Sequence, residues 1–133
     1  MKIKLFFAAL LALAAMSFST IPDHARPWEL LGVRKVNYGL DRDEIVVTRS
    51  EGLFTGIKIK VKAGAVNMHR LVVHYGNGEK DEFELRENFR AGSESRIIDL
   101  PGNKRVIRKV DFLYDTKNVA DRKGVVELWG FRK

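Results

Sequence analysis

The chain has 133 residues, no cysteine and a formal net charge of +7, from 24 Lys and Arg against 17 Asp and Glu. Absence of Cys excludes disulfides and thiolate metal ligands, so the fold rests on core burial, which one domain of this length can supply. The excess of positive charge suits an anionic partner or surface, and it serves solubility equally well.

The first stretch, MKIKLFFAALLALAAMSFST, has the layout of a secretory signal. Lys2 and Lys4 give a basic start, Leu5–Met16 an apolar run, and Ser17 and Ser19 the small residues before a cut after Ser19. A cut after Ala25 would set Asp23 at a position where small residues are needed. The apolar run is shorter than the ~20 residues of a spanning helix, so no transmembrane segment is expected in the mature chain. Loss of Lys2 and Lys4 takes the charge from +7 to about +5. Residues 1–19 therefore read as a signal peptide, 20–27 as a disordered lead-in, and 28–133 as one folded domain. The expected location is outside the cytoplasm, periplasmic or secreted.

Trp28–Val36 (WELLGVRKV) reads as a strand with a bulge at Gly32. Asn37–Asp43 is a loop by composition, and Glu44–Thr48 (EIVVT) a short strand of β-branched residues. Phe54–Lys62 alternates cleanly, with Ile57, Ile59 and Val61 on one face and Lys58, Lys60 and Lys62 on the other, wet face. His69–Tyr75 and Asp81–Arg86 flank Gly76-Asn77-Gly78, the clearest hairpin signal in the chain. Arg96–Leu100 is a further strand, and Leu100-Pro101-Gly102-Asn103 fits a type II turn. Arg105–Tyr114 is the longest strand candidate, and the stretch Ser95–Asp115 reads as a central hairpin with Pro101-Gly102 at its corner. Gly124–Phe131 closes the chain as the last strand. No segment holds ten residues at helical spacing. About eight short strands predict an all-β fold, a single antiparallel β-sandwich of jelly-roll type.

Few residues point to catalysis. His24 lies in the lead-in, and His69 and His74, five apart on one strand, are expected on opposite faces of the sheet. No metal site or cofactor is expected from them. Glu82 and Glu84 stand roughly 6.8 Å apart on one face, near a glycosidase spacing, but that face reads as solvated. Ser93 and Ser95 lack a nucleophile motif. Asp115, Asn118 and Asp121 could offer oxygens to calcium, yet the EF-hand glycine and glutamate are missing.

The arginines are the sharper case. In the long strand Val106, Arg108, Val110, Phe112 and Tyr114 share the better core face, and Arg96 is expected on the face of Ile98 and Leu100. An arginine on a core face must be paired or reach the rim. One reading is a structural ion pair with Asp99 or Glu127. The other places Arg96, Arg105 and Arg108 at the mouth of the sandwich, binding an anion bidentately, with Tyr114 and Trp129 completing the candidate ligand set. Trp28 and Trp129 could stack on a sugar or pack on each other. The charge is modest and spread along the chain, and no nucleic-acid-binding signature is present.

Several stretches carry a family resemblance: Trp28 with LLG, VNYGLDRDEI, HYGNG, SRIIDLPGNKRVIRKVDFLYD and a terminal VELWG. The most specific is S-R-x-I-D-L-x-G-x-x-R-x-I-x-x-V, carried by Ser95, Arg96, Ile98, Asp99, Leu100, Gly102, Arg105, Ile107 and Val110. The chain resembles an uncharacterised bacterial family of small exported β-rich domains, the YaaI-like domains, from Trp28 to Phe131. The resemblance implies export and a β-sandwich, and it implies no activity and no catalytic residues. The expected function is a non-enzymatic envelope module that binds an anionic glycan, a lipid headgroup or another envelope protein. The alternatives are a hydrolase of envelope polysaccharide and a structural or assembly factor that pairs through an exposed sheet edge.

Overall fold

The computed structural model describes residues 27–36, 42–47, 52–115 and 124–132. The expected signal peptide, most of the lead-in, His24, Asn118 and Asp121 lie outside the described residues. Eight strands follow in order: β1 Trp28–Lys35, β2 Arg42–Val46, β3 Gly56–Lys62, β4 Val66–Tyr75, β5 Lys80–Phe89, β6 Ile98–Asp99, β7 Ile107–Asp115 and β8 Val125–Phe131. No helix occurs among the described residues.

One sheet has the order β1-β8-β3-β6 and the other β2-β7-β4-β5, with every pair antiparallel. Strands β1 and β2, β8 and β7, β3 and β4, and β6 and β5 hold matching positions in the two sheets. This is the jelly-roll order expected of an eight-stranded double Greek key. Only β4 to β5 is a hairpin, turned on Gly78 at φ 91°, and every other connection changes sheet. The stretch Ser95–Asp115 is therefore not a central hairpin. Its first strand, β6, pairs with β3 in one sheet, and its second, β7, lies between β2 and β4 in the other. The turn itself matches the sequence, since Gly102 sits at φ 89° as the third position of a type II turn requires.

The core follows from alternation. Ile57, Ile59 and Val61 of β3 face Leu71 and Val73 of β4, with Val110 and Phe112 of β7 and Val126 and Leu128 of β8 completing the layer. Each such side chain contributes about 1.5–3 kcal/mol by leaving water. With no cysteine in the chain, this layer is the main cohesive element.

Three irregularities set which residues join it. The register of β1 on β8 slips between Leu30 and Gly32, the bulge expected at Gly32. Gly32 has no room for a side chain, because a Cβ there would collide with Ile45 of β2 where the two sheets meet along one side. The register of β4 on β7 slips at both ends of β4, between Met68 and Arg70 and between His74 and Tyr75. At the second slip β4 advances one residue while β7 advances two, so Arg108 is extra. Hence Ile107, not Arg108, enters the core beside Val110, Phe112 and Tyr114, and Arg108 is exposed. The expectation of Arg108 on the core face fails because it assumed unbroken alternation. Arg96 is exposed too, ahead of the buried Ile98.

Gly130 of β8 offers a test of the packing. A Cβ there would stand 2.7 Å from the Phe54 ring and 3.0 Å from Leu31. Gly130→Ala should lower stability by about 1–3 kcal/mol through overpacking, read as a lower urea midpoint at unchanged slope. An unchanged midpoint would show that Phe54 can move aside freely.

Candidate functional site

The outer face of the β2-β7-β4-β5 sheet is built on Asp111, whose side chain is 0% exposed although it points away from the core. Arg42 of β2 donates to its Oδ2 at 2.5 Å and His74 of β4 at 2.9 Å. One carboxylate thus ties three strands together across β7. Burial alone would raise the pKa of Asp111, but the hydrogen bonds and charges of Arg42 and His74 outweigh it and hold the carboxyl below its ordinary value.

Further along the same face the strands fall out of step. Between Met68 and Arg70, β4 gains one residue, His69, over β7, while β5 gains one residue over β4. Consecutive residues His69 and Arg70 are consequently both exposed. On β5 the irregularity includes Arg86 at φ 47°, a left-handed conformation that few residues other than Gly adopt. Bulges of this kind re-aim side chains. Here they frame a depression of about 790 Å³ lined by Asn67, His69, Arg70, Glu84, Arg86, Leu113, Tyr114 and Asp115.

Its polar groups are interlocked. His69 Nε2 and Asn67 Nδ2 both reach Asp115 Oδ2, at 3.1 and 2.5 Å. Arg70 Nη1 meets Glu82 Oε1 at 2.9 Å, and Arg86 Nε meets Glu84 Oε2 at 3.0 Å. Arg96 Nη2 donates to the Glu84 carbonyl at 3.4 Å. Glu84 is also the cross-strand partner of Arg70. Arg86 thus engages the Glu84 carboxylate and Arg96 its carbonyl, while Arg70, across from Glu84 on β4, is held by Glu82; each keeps most of its five donors for other partners.

The bulge also corrects the expectation for the histidines. Both face outward, because Asp111 and Asp115, four apart on the regular part of β7, receive His74 and His69 respectively. They still sit roughly 13 Å apart along the strand, so they do not meet at one atom. Among the described residues no cluster of three metal-ligating side chains occurs.

The candidate ligand residues separate. Arg96 lies outside the lining of the depression, with Nη2 on the Glu84 carbonyl. Arg105 lies at the far end of β4, its guanidinium 3.7 Å from the centre of the Tyr75 ring, with Nη2 on Glu79 at 2.9 Å and Nη1 on the Pro101 carbonyl at 2.8 Å. Tyr75 gives its hydroxyl to Asp81 Oδ2 at 2.8 Å, and burial, aided by that bond, pushes its pKa well above the ordinary value. Arg108 is on the surface at its bulge. Tyr114 is 2% exposed, in the core beneath the depression.

Trp129 lies on the opposite sheet. There Lys58 Nζ sits 4.1 Å above the Trp28 ring and Lys60 Nζ 4.7 Å above Trp129, while Trp28 packs on Phe131 at 4.8 Å. The lysine face expected to be wet is so only in part: Lys62 is exposed, whereas Lys58 is only 14% exposed and pairs with Glu94. Lys62 and the Trp129 indole both bond Glu127, and these bonds overcome the effect of its burial and lower its pKa. The two indoles thus pack against lysines, not on each other.

A family model described as a domain of unknown function, DUF2541, matches residues 6–130. The chain belongs to the DUF2541 family. That agrees with the uncharacterised domain family implied by the sequence motifs. No curated protein and no solved structure matches the chain. The depression is therefore defined by this DUF2541 chain's own geometry.

His69, Arg70 and Arg86 were not singled out as ligand residues by sequence. The signal was present as two adjacent polar residues after Met68, which break the alternation of β4, and as the polar run Arg86-Glu87-Asn88 late in β5.

Two outcomes follow. Arg86→Gly should raise stability by about 0.5–1 kcal/mol, because glycine relieves the left-handed strain at some cost in chain entropy, measured by chemical unfolding. A lower stability would mean that the Arg86 side chain contributes more than its backbone costs. For Asp111, a folded-state pKa below the unfolded value means full stability above pH 3.8 and loss as pH falls through the folded pKa. Asp111→Asn should cost about 1–3 kcal/mol at neutral pH and flatten the fall in melting temperature below about pH 4; an unchanged acid limb would assign that fall to other carboxylates.

Proposed function

We propose that this protein is an exported, non-enzymatic module that binds an anionic component of the cell envelope at the bulge-framed depression. The observation that carries the reading is the pair Arg70 and Arg86 in the lining of the depression, each held by a glutamate of β5. Guanidiniums with spare donors receive carboxylate or phosphate groups bidentately. A volume of about 790 Å³ falls in the range of small-ligand sites. The signal-like residues 1–19 and the net charge of +7 support an envelope setting with anionic partners.

The geometry favours binding over hydrolysis. Glu82 and Glu84 are each engaged by an arginine and half exposed, so neither stands free to act on a substrate as acid or nucleophile. Each outward histidine is tied to its own aspartate.

Binding of the protein to anionic envelope material, lipopolysaccharide or anionic lipid vesicles, measured at two salt concentrations, tests the reading. A salt-sensitive affinity that falls about tenfold in Arg86→Gln and in Arg70→Gln is the expected result. Binding that is unaffected by both substitutions would remove the depression as the site.

A further inference from the structure

We infer that the ligand of the depression is an acidic sugar, its carboxylate received by the arginines and its hydroxyls by the carboxylates among them. This rests on the anion-binding reading above and narrows it to one chemistry.

The lining is mixed in sign. Arg70 and Arg86 share it with Glu84 and Asp115. A phosphate or a simple carboxylate makes no use of Glu84 and is repelled by it. An ionised carboxylate only accepts hydrogen bonds, at about four lone-pair sites. Arg86 Nε takes one of them on Glu84, so the group is suited to partners that donate. A ring carrying a carboxylate next to hydroxyls supplies both halves of this pattern.

The orientation of Arg86 sharpens the fit. Its Nε is turned to Glu84, which leaves the two Nη groups as a fork for the two oxygens of one carboxylate. The sugar hydroxyl beside that carboxylate then falls toward Glu84. Leu113 gives the floor an apolar spot, suited to the C–H face of a sugar ring. A polyanion without hydroxyl donors, such as polyphosphate, would meet Glu82, Glu84 and Asp115 along the same face with nothing to offer them.

The discriminating variant is Glu84→Gln, because the two ligand chemistries give opposite signs. For an acidic sugar, loss of the accepting carboxylate weakens binding. For a bare anion, loss of the repelling charge tightens it. The probes are trigalacturonic acid, its methyl ester, galacturonic acid monosaccharide, inorganic phosphate and phosphatidylglycerol vesicles, titrated by calorimetry into the full mature chain. Chemical shifts of the Leu113 methyls provide a second readout, and the unfolding midpoint checks that each variant is folded.

The expected result is binding of the uronate, loss of at least tenfold on methyl esterification or Arg86→Gln, and a loss of about fivefold or more in Glu84→Gln with the Leu113 methyls shifting on titration. A stronger response of the trisaccharide than of the monosaccharide places a glycan chain, not a free sugar acid, in the site. Tighter binding by Glu84→Gln, or phosphate and vesicles binding as well as the uronate, overturns the sugar assignment and leaves the anion site standing. If no anionic probe binds, both readings fall.

Discussion

A strand turns only every second side chain toward the core, and in this protein a few extra residues decide which ones. Along β3 the alternation is unbroken, and Ile57, Ile59 and Val61 are all fully buried. Along β4 and β7 it is broken at His69 and at Arg108. Each extra residue resets the phase, so Met68 and Leu71 are both buried though three apart, as are Ile107 and Val110. The outer face changes with the inner one. Arg108 is carried to the surface, and His69 joins Arg70 there. The core and the candidate site are two consequences of the same slips in register.

Both outer faces of the sandwich must meet water, and they do so differently. On the β1-β8-β3-β6 sheet, Lys58 and Lys60 lie over indoles and their ammoniums pair with Glu94, while Lys62 pairs with Glu127. The amphipathic lysine stems cover apolar area while the charges stay satisfied. On the other sheet a polar tie, Arg42–Asp111–His74, spans three strands. It is not free of cost, since Asp111 Oδ1 is buried without a partner, a penalty of about 1–3 kcal/mol. Where this tie ends, the bulge begins, and the face hollows into the depression. The contrast bears on function, because the aromatic face is sealed by its own side chains and the hollow face retains donors.

The sequence made the architecture legible for definite reasons. Alternation in Phe54–Lys62, glycines around Asn77, and the Pro101-Gly102 turn each have one structural meaning, and all three appear as read. Pairing was less legible. Two strands joined by a short turn suggest a hairpin, yet β6 and β7 belong to different sheets: β6 pairs with β3, and both sides of β7 are taken by β2 and β4. The candidate site was read only in part. Arg96 stands out by pattern but reaches only the Glu84 carbonyl, whereas Arg70 and Arg86 come from β4 and β5, and their meeting depends on two bulges that shift register by single residues. Pattern over one strand cannot show such a slip; only the count against a partner strand does. Arg105 was also named, and its chemistry is visible only in three dimensions, where Tyr75, Glu79 and Pro101 hold it at the end of the sandwich.

Both arginines in the lining of the depression are paired with protein oxygens, and that pairing favours ligand binding. A free guanidinium on a flexible stem loses rotamer entropy when a ligand fixes it, at about 0.5–1.5 kcal/mol per side chain. Glu84 holds Arg86 by Nε, and Glu82 holds Arg70 by one Nη, before any ligand arrives. Part of the ordering cost is thereby met in folding, and the forks that remain are aimed. The same carboxylates cancel the long-range field that would draw any polyanion to this face. What is left is a short-range site whose selectivity lies in the order of donors and acceptors, not in net charge. The left-handed Arg86 belongs to this account. Its backbone strain is retained where a glycine would sit more comfortably, and the side chain it carries stands between Glu84 and the ligand space.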